Sequence, residues 1–508
     1  MSSLLNALEH STYALAAYVL GVTLLSYLLY EAFATNFPKI KGLPEVPNGL
    51  PFIGHLAALG GRRKMNDSTV YAEWARQLNT DIFQCRLGNQ RTVVVNSWAA
   101  MKDIWVGQSN SLSDRPDQPE FVEKLGVDIT GTSLTPQIRK CRMAGMRALG
   151  KPNWPKYYHL VEPTSVALIR DMYNKGQNGK VPMDVYYHLR HLVFDLALSL
   201  TYGARFGEVN DAFMTRFLWS INAISAVRNS TKTFRHYVPI LRWIPQSTTE
   251  TITAEKVRAQ HTDILYSSFR KRVAAGETVD CIVNSLGEDK LSEEEIHGTC
   301  LSLLQAAPDT VASSVYQSVA WLSSPKGQST QEAVYESILS AYSGDRTAAW
   351  NSAFREEKVP LLVSLYKETM RFFTVAPFAI PRQASKDIEY RGIRIPKGMA
   401  VILNSQAVSH DADHFGADAW QFNPQRYLHD DSPLPHSAFG AGSRICPAVG
   451  ISNRLTYAIL MRLILAFRFH EPMDGMGRKP DVHPINFSDS YQQVVGLSLS
   501  VPHFWLQS

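Results

Sequence analysis

The run Phe439-Gly440-Ala441-Gly442-Ser443-Arg444-Ile445-Cys446-Pro447-Ala448-Val449-Gly450 constrains this chain more than any other segment. Gly440 and Gly442 permit positive φ and a close approach of backbone to whatever the loop cradles. Pro447 stands where proline best opens a helix, and Val449, Ile451, Leu455, Ile459, Leu463 and Phe467 then recur at helical spacing. Cys446 is thereby placed at a helix N-terminus, where unpaired N–H groups and the dipole favour a thiolate. A bare cysteine before a core helix is usually a small buried hydrophobe. The joint spacing of Phe439, two glycines, Arg444 and Cys446 takes this one out of that class.

The remaining cysteines, Cys85, Cys141, Cys281 and Cys300, are scattered and lack metal-ligand spacing, which argues for a reducing compartment and against a disulfide framework or a zinc site. The 508 residues carry a net charge of +5 with both signs mixed, so no nucleic-acid footprint exists. The excess suits a membrane surface or an acidic partner instead. No repeat or long charged linker follows residue 60, and one large domain is the simplest division of the chain.

Tyr13 to Tyr30 contains no charge and is just long enough to span a bilayer with help from its flanks. Ala32-Phe33-Ala34 offers a signal-peptidase-like site, but the run is preceded by Glu9 with no Lys or Arg and exceeds a normal signal core. Lys39, Lys41, Arg62, Arg63 and Lys64 follow it, and the positive-inside rule then places the rest of the chain in the cytoplasm. Pro38, Pro44, Pro47 and Pro51 mark a stiff, extended connection. The expected division is residues 1–34 as a membrane anchor, 35–60 as a Pro/Gly-rich hinge and 61–508 as the catalytic domain.

Ser292-Glu293-Glu294-Glu295 reads as a capping box, and a helical pattern runs from it to Ser323-Ser324-Pro325. A helix of roughly 31 residues is ~46 Å long, enough to cross a whole domain. Its middle is Ala306-Ala307-Pro308-Asp309-Thr310, where the proline removes a backbone bond and frees a carbonyl near Leu304. Leu362, Tyr366, Met370 and Phe373 mark one face of a further helix, on which Glu368 and Arg371 are spaced to pair. Residues 82–95 read as a hairpin turning at Gly88-Asn89, and 388–404 supply more strands. His410 and His414 sit in a loop and are not assigned as ligands.

The loop around Cys446 resembles the haem-ligand loop of the cytochrome P-450 family, in which a thiolate holds haem iron. The likeness extends along nearly the full chain, in order: the apolar N-terminus and proline hinge, the Asp309-Thr310 pair, the Lys367-Glu368-Thr369-Met370-Arg371 run, Pro381-Arg382, Phe422-Asn423-Pro424-Gln425-Arg426 and the cysteine loop. Lys41 to Pro47, Phe354 to Pro360 and Ala307 to Ala312 are similar to fungal microsomal members of the phenylacetate-hydroxylase type.

The resemblance implies a mainly α fold with small β-sheets behind one transmembrane helix. It implies haem b, with Cys446 as axial ligand, Phe439 beside the sulfur, and Arg142, Arg382 and Arg444 on the propionates. Thr310 becomes the hydroxyl of a proton relay fed by Asp309, and Glu368, Arg371 and Arg426 a structural cluster under the cysteine loop. The strand before Arg382, with Val375 and Phe378, is expected along the substrate cavity.

Four positions depart from the family pattern: Ala448, Ala307 and Val311 replace two glycines and a hydroxyl residue, and Ile138 stands where a tryptophan is usual. The implied reaction is hydroxylation of an aryl acid, a phenol or an aromatic secondary-metabolite intermediate. Electrons would come from NADPH-cytochrome P-450 reductase, with cytochrome b5 as an optional donor, at the endoplasmic reticulum membrane; Arg139, Lys140 and Arg142 form a candidate basic docking patch. No dinucleotide fingerprint follows a strand, so the flavoprotein is separate. A haem-thiolate isomerase or dehydratase, and a non-catalytic haem sensor, are the competing functions.

Overall fold

A computed structural model describes residues 2–60, 66–116, 126–176, 183–204, 211–228, 237–243, 249–429, 432, 434–470 and 500–501. The long helices are α1 (Ser2–Phe33), α2 (Asp67–Gln77), α3 (Pro136–Ala148), α4 (Trp154–Lys175), α5 (Val185–Tyr202), α6 (Asp211–Arg228), α7 (Thr249–Ala274), α8 (Glu293–Ser323), α9 (Gln328–Ala341), α10 (Pro360–Phe373) and α11 (Val449–Ala466). The axis of the body is α8, which packs along α5 and touches α3, α10 and α11. Its start is a complete capping box: Ser292 Oγ accepts from Glu295 N at 3.2 Å while the Glu295 carboxylate accepts from Ser292 N at 3.0 Å. It remains one helix through Pro308, leaving the Leu304 carbonyl without its usual i+4 donor.

Beside the helices lies a four-stranded sheet of β1 (Ile82–Leu87), β2 (Gln90–Val95), β3 (Arg382–Gln383) and, after the hairpin β4 (Ile388–Tyr390) and β5 (Ile393–Ile395), β6 (Ala400–Leu403). The order is β1-β2-β6-β3. β1 and β2 are antiparallel with Ile82 opposite Val95, β2 and β6 are parallel with Thr92 opposite Ala400, and β3 sets Arg382 opposite Val401. The segment expected as a strand before Arg382 is instead irregular from Thr374 to Pro381. Thr374 at φ +39° ends α10 in the left-handed region, and Pro377 and Pro381 follow before the ladder begins.

Leu15–Phe33 of α1 is long and apolar enough to cross a membrane and is exposed over most of its length, Ala32 near its end being buried. The Pro/Gly-rich stretch after it is docked on the β1–β2 hairpin. Gln84 Nε2 donates to the carbonyls of Ile40 and Leu43 at 2.9 and 2.7 Å, and Arg91 pairs with Glu45 at 2.5 Å. Phe52 N and Arg86 Nη2 reach back to the Ala32 carbonyl at 2.8 and 3.1 Å. His55 accepts from Arg86 N at 3.0 Å through Nδ1, and its Nε2 lies 3.2 Å from the Pro47 carbonyl.

Gly298 of α8 is where the loop at 126–129 crosses the helix, and a Cβ there would meet Val127 O at 2.1 Å. Alanine in a helix interior gains about 1 kcal/mol over glycine, but overpacking of this kind costs about 1–3 kcal/mol. Gly298→Ala is therefore expected to lower stability by about 1–2 kcal/mol, measured as a shift of the urea midpoint at unchanged slope.

Candidate active site

The loop carrying Cys446 closes on itself through Cys446 N donating to Phe439 O at 3.0 Å. Gly440 and Gly442 both take positive φ, +69° and +67°. A Cβ on Gly442 would meet Trp105 O at 2.0 Å, while nothing lies within 4 Å of one on Gly440, on whose side the loop is open. The helix begins at Val449, not at Pro447; Pro447 and Ala448 form the turn that delivers the chain into α11. Burial pushes the Cys446 thiol up, and the Ala448 backbone N–H and the Arg142 guanidinium oppose that push. The sulfur thus faces one turn-end donor and one cation.

Around this loop the fold withdraws four arginines from water. Arg142 of α3 donates to the Ile445 carbonyl, and Arg382 of β3 donates to the Ala441 carbonyl. Arg444 Nη2 donates to the carbonyls of Thr130 and Thr132 at 3.1 and 2.8 Å. Arg115 Nε shares the Thr130 carbonyl at 3.0 Å while its Nη1 holds those of Ile380 and Pro381 at 2.7 and 2.9 Å. All four are buried.

Desolvation, followed by mutual repulsion, lowers Arg115 well below its ordinary range, Arg382 to about 9 and Arg444 to about 10. Asp128 and Asp114 offset this only in part. Arg444 Nε and Nη1 are buried with no hydrogen-bond partner. Buried donors are normally satisfied, and the two open nitrogens of the Arg444 fork match a carboxylate. Arg115 was not anticipated; its Ser113-Asp114-Arg115-Pro116 context carries no periodic signal.

On α8, Asp309 and Thr310 diverge. Asp309 is buried and turned toward α5, where Arg190 Nε donates to Oδ1 at 2.6 Å and Tyr186 OH lies at 3.4 Å. Arg190 Nη2 also donates to Asn222 Oδ1 of α6 at 2.9 Å. Thr310 Oγ1 donates back to Ala306 O at 2.8 Å and is half-buried. Arg190 and Asn222 were invisible in sequence because each stands on a helix separate from the Asp309 run.

Glu368, Arg371 and Arg426 do come together. Arg371 Nε and Nη2 meet the two Glu368 oxygens at 2.7 and 2.8 Å, and Arg426 Nε lies 3.2 Å from Oε2. Asn423 N donates to Glu368 Oε1 at 2.8 Å, and Arg371 Nη1 holds the carbonyls of Ser409 and Ala419, both at 2.7 Å. Asp418 is an unforeseen fourth member, 2.9 Å from Arg426 Nη2. His410 is buried, stacked on Trp420, and burial lowers it to about 3; His414 stacks on Trp98.

The proposed basic patch does not form as a unit: Arg139 is exposed, Lys140 is paired with Glu295 at 2.8 Å, and Arg142 is buried. Val375 is buried and Phe378 packs against Tyr71, its ring 6.0 Å away.

A family model for cytochrome P450 matches residues 44–488. The chain belongs to the cytochrome P450 family. Phenylacetate 2-hydroxylase of Emericella nidulans is 32% identical over 464 residues, 89% of this chain and 88% of that protein. The 3-hydroxyphenylacetate 6-hydroxylase of the same organism is 28% identical over 97% of this chain and 94% of its own length. A zebra fish cytochrome P450, solved with abiraterone, superposes with a TM-score of 0.65 at 19% identity, covering 82% of this chain and 95% of that one. This cytochrome P450 is a haem-thiolate monooxygenase with a cysteine axial ligand, and the open donors of Arg444 fit a carboxylate of such a cofactor.

Removing the Glu368 carboxylate charge leaves two guanidiniums facing one another. Breaking a buried pair in this way costs about 3–5 kcal/mol. Glu368→Gln is expected to lose that much in urea unfolding, together with haem content in freshly purified protein.

Proposed function

We propose that this cytochrome P450 hydroxylates a small aromatic substrate, an aryl acid, a phenol or an aromatic secondary-metabolite intermediate, with Cys446 as the axial ligand. The nest of buried guanidiniums with open donors around the Cys446 loop carries the ligand assignment. The substrate class rests on two relatives named as phenylacetate and hydroxyphenylacetate hydroxylases, matched over most of the chain.

Bound haem supplies dioxygen activation and the insertion of one oxygen atom into a C–H bond. The residues of the chain hold the group and move protons. Arg142, Arg382, Arg444 and Arg115 neutralise its propionates; Phe439 borders the sulfur; the Glu368, Arg371 and Arg426 cluster fixes the segments beneath the loop. Thr310 Oγ1 would pass a proton toward the bound group and regain one through water from Asp309, which takes up a solvent proton once its hydrogen bond from Arg190 has been exchanged for one with water. Because Arg190 also holds Asn222, the carboxylate's release is tied to the position of α6.

Electrons arrive from NADPH through a separate cytochrome P-450 reductase, with cytochrome b5 as an optional donor. The α1 helix anchors residues 1–34 in the endoplasmic reticulum membrane, and Lys39 and Lys41 behind it favour a cytoplasmic catalytic domain after the 35–60 hinge.

Reduced protein with carbon monoxide is expected to give a thiolate-type difference band that Cys446→Ser abolishes; an unchanged band would remove Cys446 as ligand. Phenylacetate, hydroxyphenylacetates and simple phenols are expected to displace the resting Soret band on binding, whereas bulky terpenoid substrates are not. Thr310→Ala should lower product formation roughly 100-fold while NADPH consumption continues, read by comparing product with NADPH oxidised. Full coupling in that variant would discard the relay.

A further inference from the structure

The structure assigns a haem-binding role to Trp105: we propose that its indole N–H donates to a haem propionate, taking the place of the aromatic donor that α3 lacks at Ile138. The inference rests on the haem reading of the Cys446 loop.

Trp105 lies on a π-helical turn, Met101–Val106, a geometry that recurs at functional sites. Its side chain is fully buried, and its Nε1 has no hydrogen-bond partner. Tryptophan N–H groups usually find a partner when buried. The ring is held in place by the Arg382 guanidinium, 4.9 Å from its centroid, a cation–π contact of the stronger, desolvated kind. Its backbone carbonyl occupies the space Gly442 leaves by lacking a Cβ, and the next turn is stitched to the same loop by Ser443 Oγ donating to Ser109 O at 2.8 Å.

The unpartnered N–H therefore belongs to a residue touching both the cysteine loop and one of the nest's arginines. The other orphaned donors of that nest, Arg444 Nε and Nη1, lie on the same loop. Ile138, by contrast, is an apolar core residue with no side-chain donor to offer. An indole arriving from the 101–106 turn restores a neutral donor to a set otherwise composed of cations.

The test uses full-length holoprotein and two readouts that do not require turnover: haem transfer to apomyoglobin and the propionate bending modes in resonance Raman spectra. Trp105→Phe keeps a ring against Arg382 and removes only the donor. A hydrogen bond to a carboxylate is worth enough that haem release should accelerate roughly tenfold, with shifted propionate modes. The thiolate-type band with carbon monoxide should persist, which separates this role from the ligand assignment itself.

Trp321→Phe is the control, because Trp321 Nε1 is also buried without a partner but its ring packs on Phe422; it should leave both readouts unchanged. Adding Ile138→Trp to Trp105→Phe should slow haem release again. If Trp105→Phe alone does not accumulate as folded protein, recovery of haem-loaded protein by Ile138→Trp but not by Ile138→Phe supports the proposal, and equal behaviour of the two overturns it. Wild-type haem release with unmoved propionate modes in Trp105→Phe overturns it outright.

Discussion

Charge taken out of water governs this molecule. Arg115, Arg142, Arg382 and Arg444 are buried near one loop with few carboxylates to meet them. Such a cluster repels itself, and its desolvation is not repaid by the protein alone. What keeps it in place is backbone: the Thr130, Thr132, Ile380, Pro381, Ala441 and Ile445 carbonyls each accept from a guanidinium. The segments at 130–132, 380–382 and 441–445 are thereby held around positive charge that the described carboxylates do not balance.

The Glu368 cluster shows the opposite condition. There each guanidinium meets carboxylates and carbonyls at full valence, with Asp418 supplying a second anion for Arg426. A saturated network of this kind contributes geometry more than net stability. It binds α10 to the segments at 409–423 that lead into the cysteine loop. One cluster is closed and sets the frame; the other leaves Arg444 Nε and Nη1 open.

Much of this was legible in the residues. The limits of α8, its capping box, the turn at Gly88-Asn89 and the Glu368–Arg371 pair all follow from local rules, because each depends on neighbours within four residues. The start of α11 was misplaced by two residues because Pro447 joins a turn whose Ala448 N–H serves the sulfur rather than the helix. The Thr374–Pro381 segment, which the family resemblance implied to be a strand, is irregular, because Thr374 takes the left-handed region and Pro377 and Pro381 have no N–H for a ladder. Arg115, Arg190, Asn222, Asp418 and Trp105 escaped notice for one reason: their meaning lies in contacts between elements far apart in the chain. The patch of Arg139, Lys140 and Arg142 failed for the converse reason, as successive helical residues point in different directions.

The docking of residues 35–60 on the β1–β2 hairpin has a mechanical consequence. The last turn of α1 offers its Ala32 carbonyl to both Phe52 N and Arg86, and Asn36 exchanges hydrogen bonds with Asn89 and Arg91. Torque applied to α1 therefore reaches the sheet without a slack joint, and through β2 and β6 it reaches Arg382. The inclination of the first helix in whatever surface holds it becomes a setting of the whole body's pose, so lengthening or shortening that helix by half a turn would rotate the sheet relative to the surface instead of merely lifting it.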